Sequence, residues 1–182
     1  MQYDQKNDRY WLTTDNHRGF SIVSHDFEKI TRFQMTNDDV EWLTFNEDYS
    51  LAYLVCFDHH LYIYKNEVNP QLIARVGPLK FQGKQVEVID ENHVYVLLES
   101  GEIYHIDKHH RMVKQAVTGT NCAWDMVEDK EVKNQYILPM EDGSIRYVRY
   151  FASIDQQKVE LFETKTIPNL GMGRVRRVVP LG

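Results

Sequence analysis

Cysteine, excess basic charge and long apolar runs are all scarce in this chain, and each scarcity removes a class of protein. Of 182 residues only Cys56 and Cys122 are cysteines, too few for a disulfide framework and at a spacing that matches no metal motif. Both are expected as small buried hydrophobes rather than reactive thiols. No apolar run approaches the roughly 18 residues that a membrane helix requires. The opening residues, Met1-Gln2-Tyr3-Asp4-Gln5-Lys6-Asn7-Asp8, show neither the basic start nor the apolar stretch of a secretory signal, so a cytoplasmic location without membrane attachment is expected. Lys and Arg together number 21 against 27 Asp and Glu, a net charge of −6, which argues against broad binding to nucleic acid.

Signatures of chemistry are equally sparse. No serine or cysteine sits in a nucleophile elbow; Ser100-Gly101 and Gly143-Ser144 read as hairpin turns. Gly171-Met172-Gly173 is followed by a strand pattern and not by a helix, so a phosphate-binding loop lacks the context that would validate it. The histidine pairs His59-His60 and His109-His110 fall in turns, with no further ligand spacing to complete a metal site. The sequence leans away from an enzyme and marks no catalytic residue.

Against these absences stands a repeat. The aromatics of Tyr10-Trp11-Leu12, Ala52-Tyr53-Leu54, Val94-Tyr95-Val96 and Gln135-Tyr136-Ile137 recur at 11, 53, 95 and 136. After each comes a polar turn and a second short run: Phe20-Ser21-Ile22-Val23, Leu61-Tyr62-Ile63-Tyr64, Ile103-Tyr104-His105-Ile106 and Ile145-Arg146-Tyr147-Val148. Short strands repeating every forty-odd residues are the sign of β-propeller blades, each a four-stranded sheet. Within a repeat we label the strands a to d. Strand b, the most continuously apolar, should be covered on both faces, and strands that alternate should have a wetter face. Glycine before strand c in three repeats, at 19, 101 and 143, suits the positive φ of a tight hairpin. The second repeat has His60 at that place.

The expected fold is therefore an all-β, four-bladed β-propeller of four-stranded antiparallel blades in a single domain, residues 1–182. The blade repeats span about 10–36, 37–77, 78–118 and 119–168. Nothing before Tyr10 reads as a convincing strand a, whereas Gly173-Arg174-Val175-Arg176-Arg177-Val178-Val179 supplies a surplus strand. A closing strand at 173–180 that completes the first blade would remove an exposed sheet edge. Half of an eight-bladed ring and a fragment of a larger propeller are the alternatives. On these residues the chain resembles the β-propeller superfamily over almost its whole length, at the size of a hemopexin-like four-bladed disc. Ser100-Gly101-Glu102-Ile103-Tyr104-His105-Ile106-Asp107 also resembles the b-to-c hairpin of quinoprotein-like and WD-repeat blades. The tryptophan-aspartate pair that ends strand c in WD repeats is absent, and the subfamily stays open.

Two sets of residues are candidates for function. Aligning the a strands puts Glu41, Glu87, Asp125 and Arg176 at one level of a central channel, a ring that could hold a hard cation such as calcium or form a structural charge network. On the fourth repeat, Arg146, Tyr147, Arg149, Tyr150 and Phe151 combine the residue types that dominate protein-binding hot spots. The expected function is a non-enzymatic protein-binding module or scaffold using a propeller face or rim, with no bound cofactor, as a monomer or homodimer. The alternative is a ligand- or metal-binding propeller, enzymes included, with its site at the channel mouth.

Overall fold

The computed structural model describes residues 1–14, 18–34, 36–90, 92–117, 125–152, 159–169, 171, 173–175 and 178–179. Among these the chain is all-β, with four four-stranded sheets following one another along the sequence. The first sheet is β1 (Gln2–Asp4), β2 (Arg9–Leu12), β3 (Phe20–Ser24) and β4 (Ile30–Phe33). The second is β5 (Val40–Phe45), β6 (Leu51–Cys56), β7 (Leu61–Lys65) and β8 (Gln71–Val76). The third is β9 (Gly83–Asp90), β10 (His93–Leu98), β11 (Glu102–Ile106) and β12 (Met112–Val117). The fourth is β13 (Val127–Glu128), β14 (Gln135–Pro139), β15 (Ile145–Ala152) and β16 (Val159–Ile167). In every sheet sequence neighbours are hydrogen-bonded neighbours. This meander is the blade unit of a four-bladed propeller, and no helix among the described residues is long and apolar enough to cross a membrane.

One expectation is corrected at the N-terminus. The first sheet takes its a strand from Gln2–Asp4, which pairs antiparallel with β2 through Gln2 and Trp11, Tyr3 and Tyr10, and Asp4 and Arg9. The described residues of 173–180 form no strand. Around Gly173 the chain lies against the b-to-c hairpin of the fourth sheet: Asn169 Nδ2 donates to the Asp142 carbonyl at 2.7 Å, and Arg174 pairs with Glu141 at 3.2 Å. A three-residue strand of Gln, Tyr and Asp carries too little apolar signal to stand out in sequence; its neighbour's backbone supplies the hydrogen bonds that make it a strand.

The burial gradient follows the sequence pattern. Strands β6 and β10, the b strands, are buried almost throughout, whereas the outer strands β4 and β8 are largely exposed. Tyr53, Tyr95 and Tyr136 on the b strands, with Tyr62 and Tyr64 on β7, are core residues. The chain divides into two compact units, residues 1–96 with 106–112, and residues 97–105 with 113–182. In the first, Trp11 stacks on Phe20 at 4.3 Å between centroids and meets the edge of Phe45 at 5.6 Å; Tyr64 completes the cluster against Phe20 at 5.2 Å. Such aromatic pairs each contribute about 0.5–1.5 kcal/mol beyond their buried area.

Two polar devices repeat with the blades. In the b-to-c turns, Asp58, Ser100 and Asp142 each accept from the backbone N–H two residues on, the local bond that makes Asp and Ser favoured turn residues. The left-handed position falls on Gly101 and Gly143, with φ of 80° and 82°, and in the second sheet on His59, at φ 63°, not on His60. At the a-to-b turns, a polar residue at or just past the end of strand a clasps the start of strand b. Asp4 takes Arg9 Nε at 3.0 Å, Asn46 the Leu51 N–H at 2.8 Å, Asp90 sits 2.8 Å from His93 Nδ1, and Asp129 takes Gln135 Nε2 at 2.8 Å.

Candidate functional site

In the second unit, β14, β15 and β16 build an open face whose centre is one cross-strand row, Ile137 opposite Tyr147 opposite Lys165. Strand alternation puts these three on the same side of the sheet. Ile137, at one end of the row, is buried, and Lys165 Nζ lies 5.3 Å from the Tyr147 ring centroid, a cation–π distance. Thr164 Oγ1 donates to Gln135 Oε1 at 3.1 Å across the rim. With Asp129, Lys130 and Glu131 these residues line a concavity of about 490 Å³. The Asp129 carboxyl is held below the usual carboxylate range by hydrogen bonds from the Gln135 side chain and the Glu131 backbone, so the rim keeps a fixed negative charge beside the two lysines.

The sequence-derived hot-spot residues are distributed unevenly around this face. Tyr147 is on it. Arg146, its neighbour in β15, is on the opposite side of the sheet, where Nη1 pairs with Glu163 at 3.1 Å. The ladder between β15 and β16 shifts register at Tyr147 and Val148, so that Tyr147 faces Lys165 while Val148 faces Glu163. This bulge locally increases strand twist. Arg149 is half-buried and opposite Gln135. Tyr150 and Phe151 belong to β15, and their side chains lie outside the described residues.

The expected channel ring is placed residue by residue as follows. Glu41 sits where the β5–β6 ladder shifts register between Val40 and Trp42, and Lys84 Nζ approaches its carboxylate at 3.4 Å. Glu87, on β9, accepts from Gln85 Nε2 at 2.7 Å. Asp125 precedes β13 and accepts from the Met126 N–H at 3.0 Å. Arg176 lies outside the described residues. Among the described residues no three His, Cys, Asp or Glu side chains are grouped to hold a metal ion.

A second concavity, of about 320 Å³, lies in the first unit over Leu51, Tyr53, Ile63, Val94 and Ile106, with Asn92, Asp107, Lys108 and His110 at its rim. Burial pushes the Asp107 carboxyl up, but hydrogen bonds from Arg111 and from the His109 N–H outweigh it and hold it below the usual range. The thiol of Cys56, by contrast, is driven upward by burial and by the nearby Asp58, and so is unsuited to act as a nucleophile at neutral pH.

A structural feature that no sequence motif marks is the buried Arg9. Arg9 is 9% exposed, donates to wholly buried Asp4, and reaches from the first sheet to the turn that follows β7. There Nη2 meets Asn66 Oδ1 at 2.7 Å and Nη1 the Val68 carbonyl at 2.9 Å. An arginine opening strand b, five residues after an aspartate, was the available clue.

No protein-family model and no curated protein matches this chain. Its fold is similar to that in the crystal structure of Raptor from Chaetomium thermophilum, with a TM-score of 0.72 and 13% sequence identity, over 96% of this chain and 17% of that one. The chain thus spans about a sixth of the length of that relative, and at this identity the likeness is one of fold.

Proposed function

We propose that this chain is a non-enzymatic protein-binding module, with the fourth-sheet face around Tyr147 as a contact surface. The observation that carries the reading is the cross-strand row of Ile137, Tyr147 and Lys165 at the floor of an open concavity. A tyrosine ring with an apolar neighbour beside it and an exposed cation over it gives a partner both area to bury and a polar handle. The fixed carboxylate of Asp129 and the exposed lysines at the rim add charge that orients an incoming chain.

Affinity capture with the intact chain, run beside Tyr147→Ala and Lys165→Glu, tests this reading. Specific partners should be retained by the parent chain and lost from both variants, with melting temperatures unchanged. Partners retained equally by all three would remove the Tyr147 face from consideration.

A further inference from the structure

The first sheet carries an aromatic surface that no core explains. Tyr3 and Tyr10 are directly opposite across β1 and β2, with ring centroids 5.1 Å apart. From the turn between β3 and β4, His25 stacks over Tyr10 at 6.0 Å and Phe27 stacks on Tyr10 at 5.2 Å, with 17° between the planes. Tyr10 alternates with Trp11, whose ring belongs to the buried cluster, so these four rings gather on the sheet's other side. Phe27 remains 58% exposed and Tyr3 38%.

The backbone at Phe27 is left-handed, as it is at Tyr49 in the turn between β5 and β6. Phe27 has a φ of 61°, a left-handed conformation that a bulky side chain avoids. The turn around it is fixed by hydrogen bonds: Phe27 N–H to the Ser24 carbonyl at 2.9 Å, Ser24 N–H to the Lys29 carbonyl at 3.0 Å, and Glu28 N–H to Asp26 Oδ1 at 3.1 Å. A residue such as glycine or asparagine would occupy the same turn without the strain. Tyr49 is only partly exposed in its turn, whereas the Phe27 ring stays 58% exposed, and it is this exposed aromatic face that offers itself to a partner.

The charge around the rings selects the occupant. The Asp8 carboxylate, 68% exposed, accepts from Tyr3 Oη at 2.5 Å and sits 3.0 Å from His25 Nδ1. The Asp26 carboxyl is held below the usual range by hydrogen bonds from the Ser24 hydroxyl and the Glu28 backbone, and so is ionised beside Phe27. Asp4, the third acid, is committed to Arg9. A π face flanked by carboxylates matches a planar, weakly hydrated cation that can stack and hydrogen-bond at once, which is the chemistry of the arginine guanidinium. The net charge of −6 disfavours an acidic partner.

We infer that the surface formed by Tyr3, Tyr10, His25 and Phe27 docks an arginine-bearing peptide segment, the guanidinium stacking on Phe27 and pairing with Asp8 or Asp26. The inference rests on none of the residues of the Tyr147 face and stands whether or not that face binds anything.

The test is a titration of the isotope-labelled chain, followed by NMR, with a blocked Gly-Arg-Gly-Arg-Gly peptide and its lysine and citrulline counterparts. Saturable shifts confined to Tyr3, Tyr10, His25, Phe27 and their neighbours are expected, with citrulline, the neutral isostere, weaker by about tenfold. Phe27→Gly and Asp8→Asn should each weaken the arginine peptide by about as much. Phe27→Gly should leave the melting temperature about where it is, because the freedom of glycine at this φ offsets the stacking on Tyr10 that is lost. The inference is overturned by the absence of saturable shifts, by equal binding of the citrulline peptide, or by shifts centred elsewhere. It is overturned equally if Phe27→Gly lowers the melting temperature and leaves peptide binding intact, which would make the ring structural. Concentration-dependent self-association through these residues, without peptide binding, would assign the surface to a second copy of the chain.

Discussion

Arg9 Nε lies 3.0 Å from Asp4 Oδ2, and that aspartate has no exposed surface. Both charges are satisfied on several sides, Asp4 by Asn7 and Arg9, and Arg9 by Asn66 and the carbonyls of Glu67 and Val68. The pair ties the a-to-b turn of the first sheet to the turn after β7. Its net value against an apolar substitute is small, but breaking it leaves a buried carboxylate without its cation. Arg9→Leu should therefore destabilise the chain by about 3–5 kcal/mol, read as a fall in the urea midpoint, whereas the double variant Arg9→Leu with Asp4→Leu should recover part of the loss.

The carboxyls at the turns predict an acid transition. At Asp4, burial favours the neutral acid, but hydrogen bonds from Asn7, Asn66 and Arg9 outweigh it and hold the folded carboxyl below its usual range; Asp107 and Asp129 are also lowered. A carboxyl that is more acidic in the folded state makes the unfolded chain take up protons first as pH falls. Its stabilisation is complete above the unfolded pKa and is lost as pH drops through the folded one. Melting temperature should be level near pH 6 and decline below about pH 4, and Asp4→Asn should show a shallower decline than the parent.

Calcium tests the channel ring. Glu41 already has the Lys84 ammonium 3.4 Å away, Glu87 is bonded to Gln85 and Asp125 to the Met126 N–H, so each ring residue among the described residues has a nearby partner. Chelator-treated chain should melt at the same temperature with and without added calcium. An upward shift abolished by Glu41→Gln together with Glu87→Gln would establish the ring as an ion site.

Cys56 should be silent in the folded protein. The residue has no exposed surface, and burial raises its thiol well above the ordinary range, leaving little thiolate to react. In a Cys122→Ser background, thiol reagent should label the chain only at the rate of unfolding, and urea should release full reactivity. Rapid labelling of the folded chain would show that the core around β6 opens readily.

The blade pattern was legible in sequence because it rests on local physics. Buried b strands demand continuous apolar residues and tight hairpins demand particular turn residues, so the runs 52–56, 94–98 and 135–138 and the glycines at 101 and 143 mark the sheets by themselves. The candidate surfaces were legible only in part. Tyr147 was marked by its residue type, but its separation from Arg146 follows from strand alternation, and its partner Lys165 from a pairing with β16 whose register shifts at Tyr147 and Val148.

By itself the sequence determined four repeats, their b and c strands and the all-β class, since each depends on contacts between residues close along the chain. Tertiary structure alone decided that Gln2–Asp4 supplies the first strand, that Arg9 joins two sheets, and that Phe27 stands over Tyr10 in a left-handed turn. Those outcomes depend on hydrogen-bond partners up to 59 residues away and on a backbone angle set by a whole turn, neither of which is written in any single run of residues.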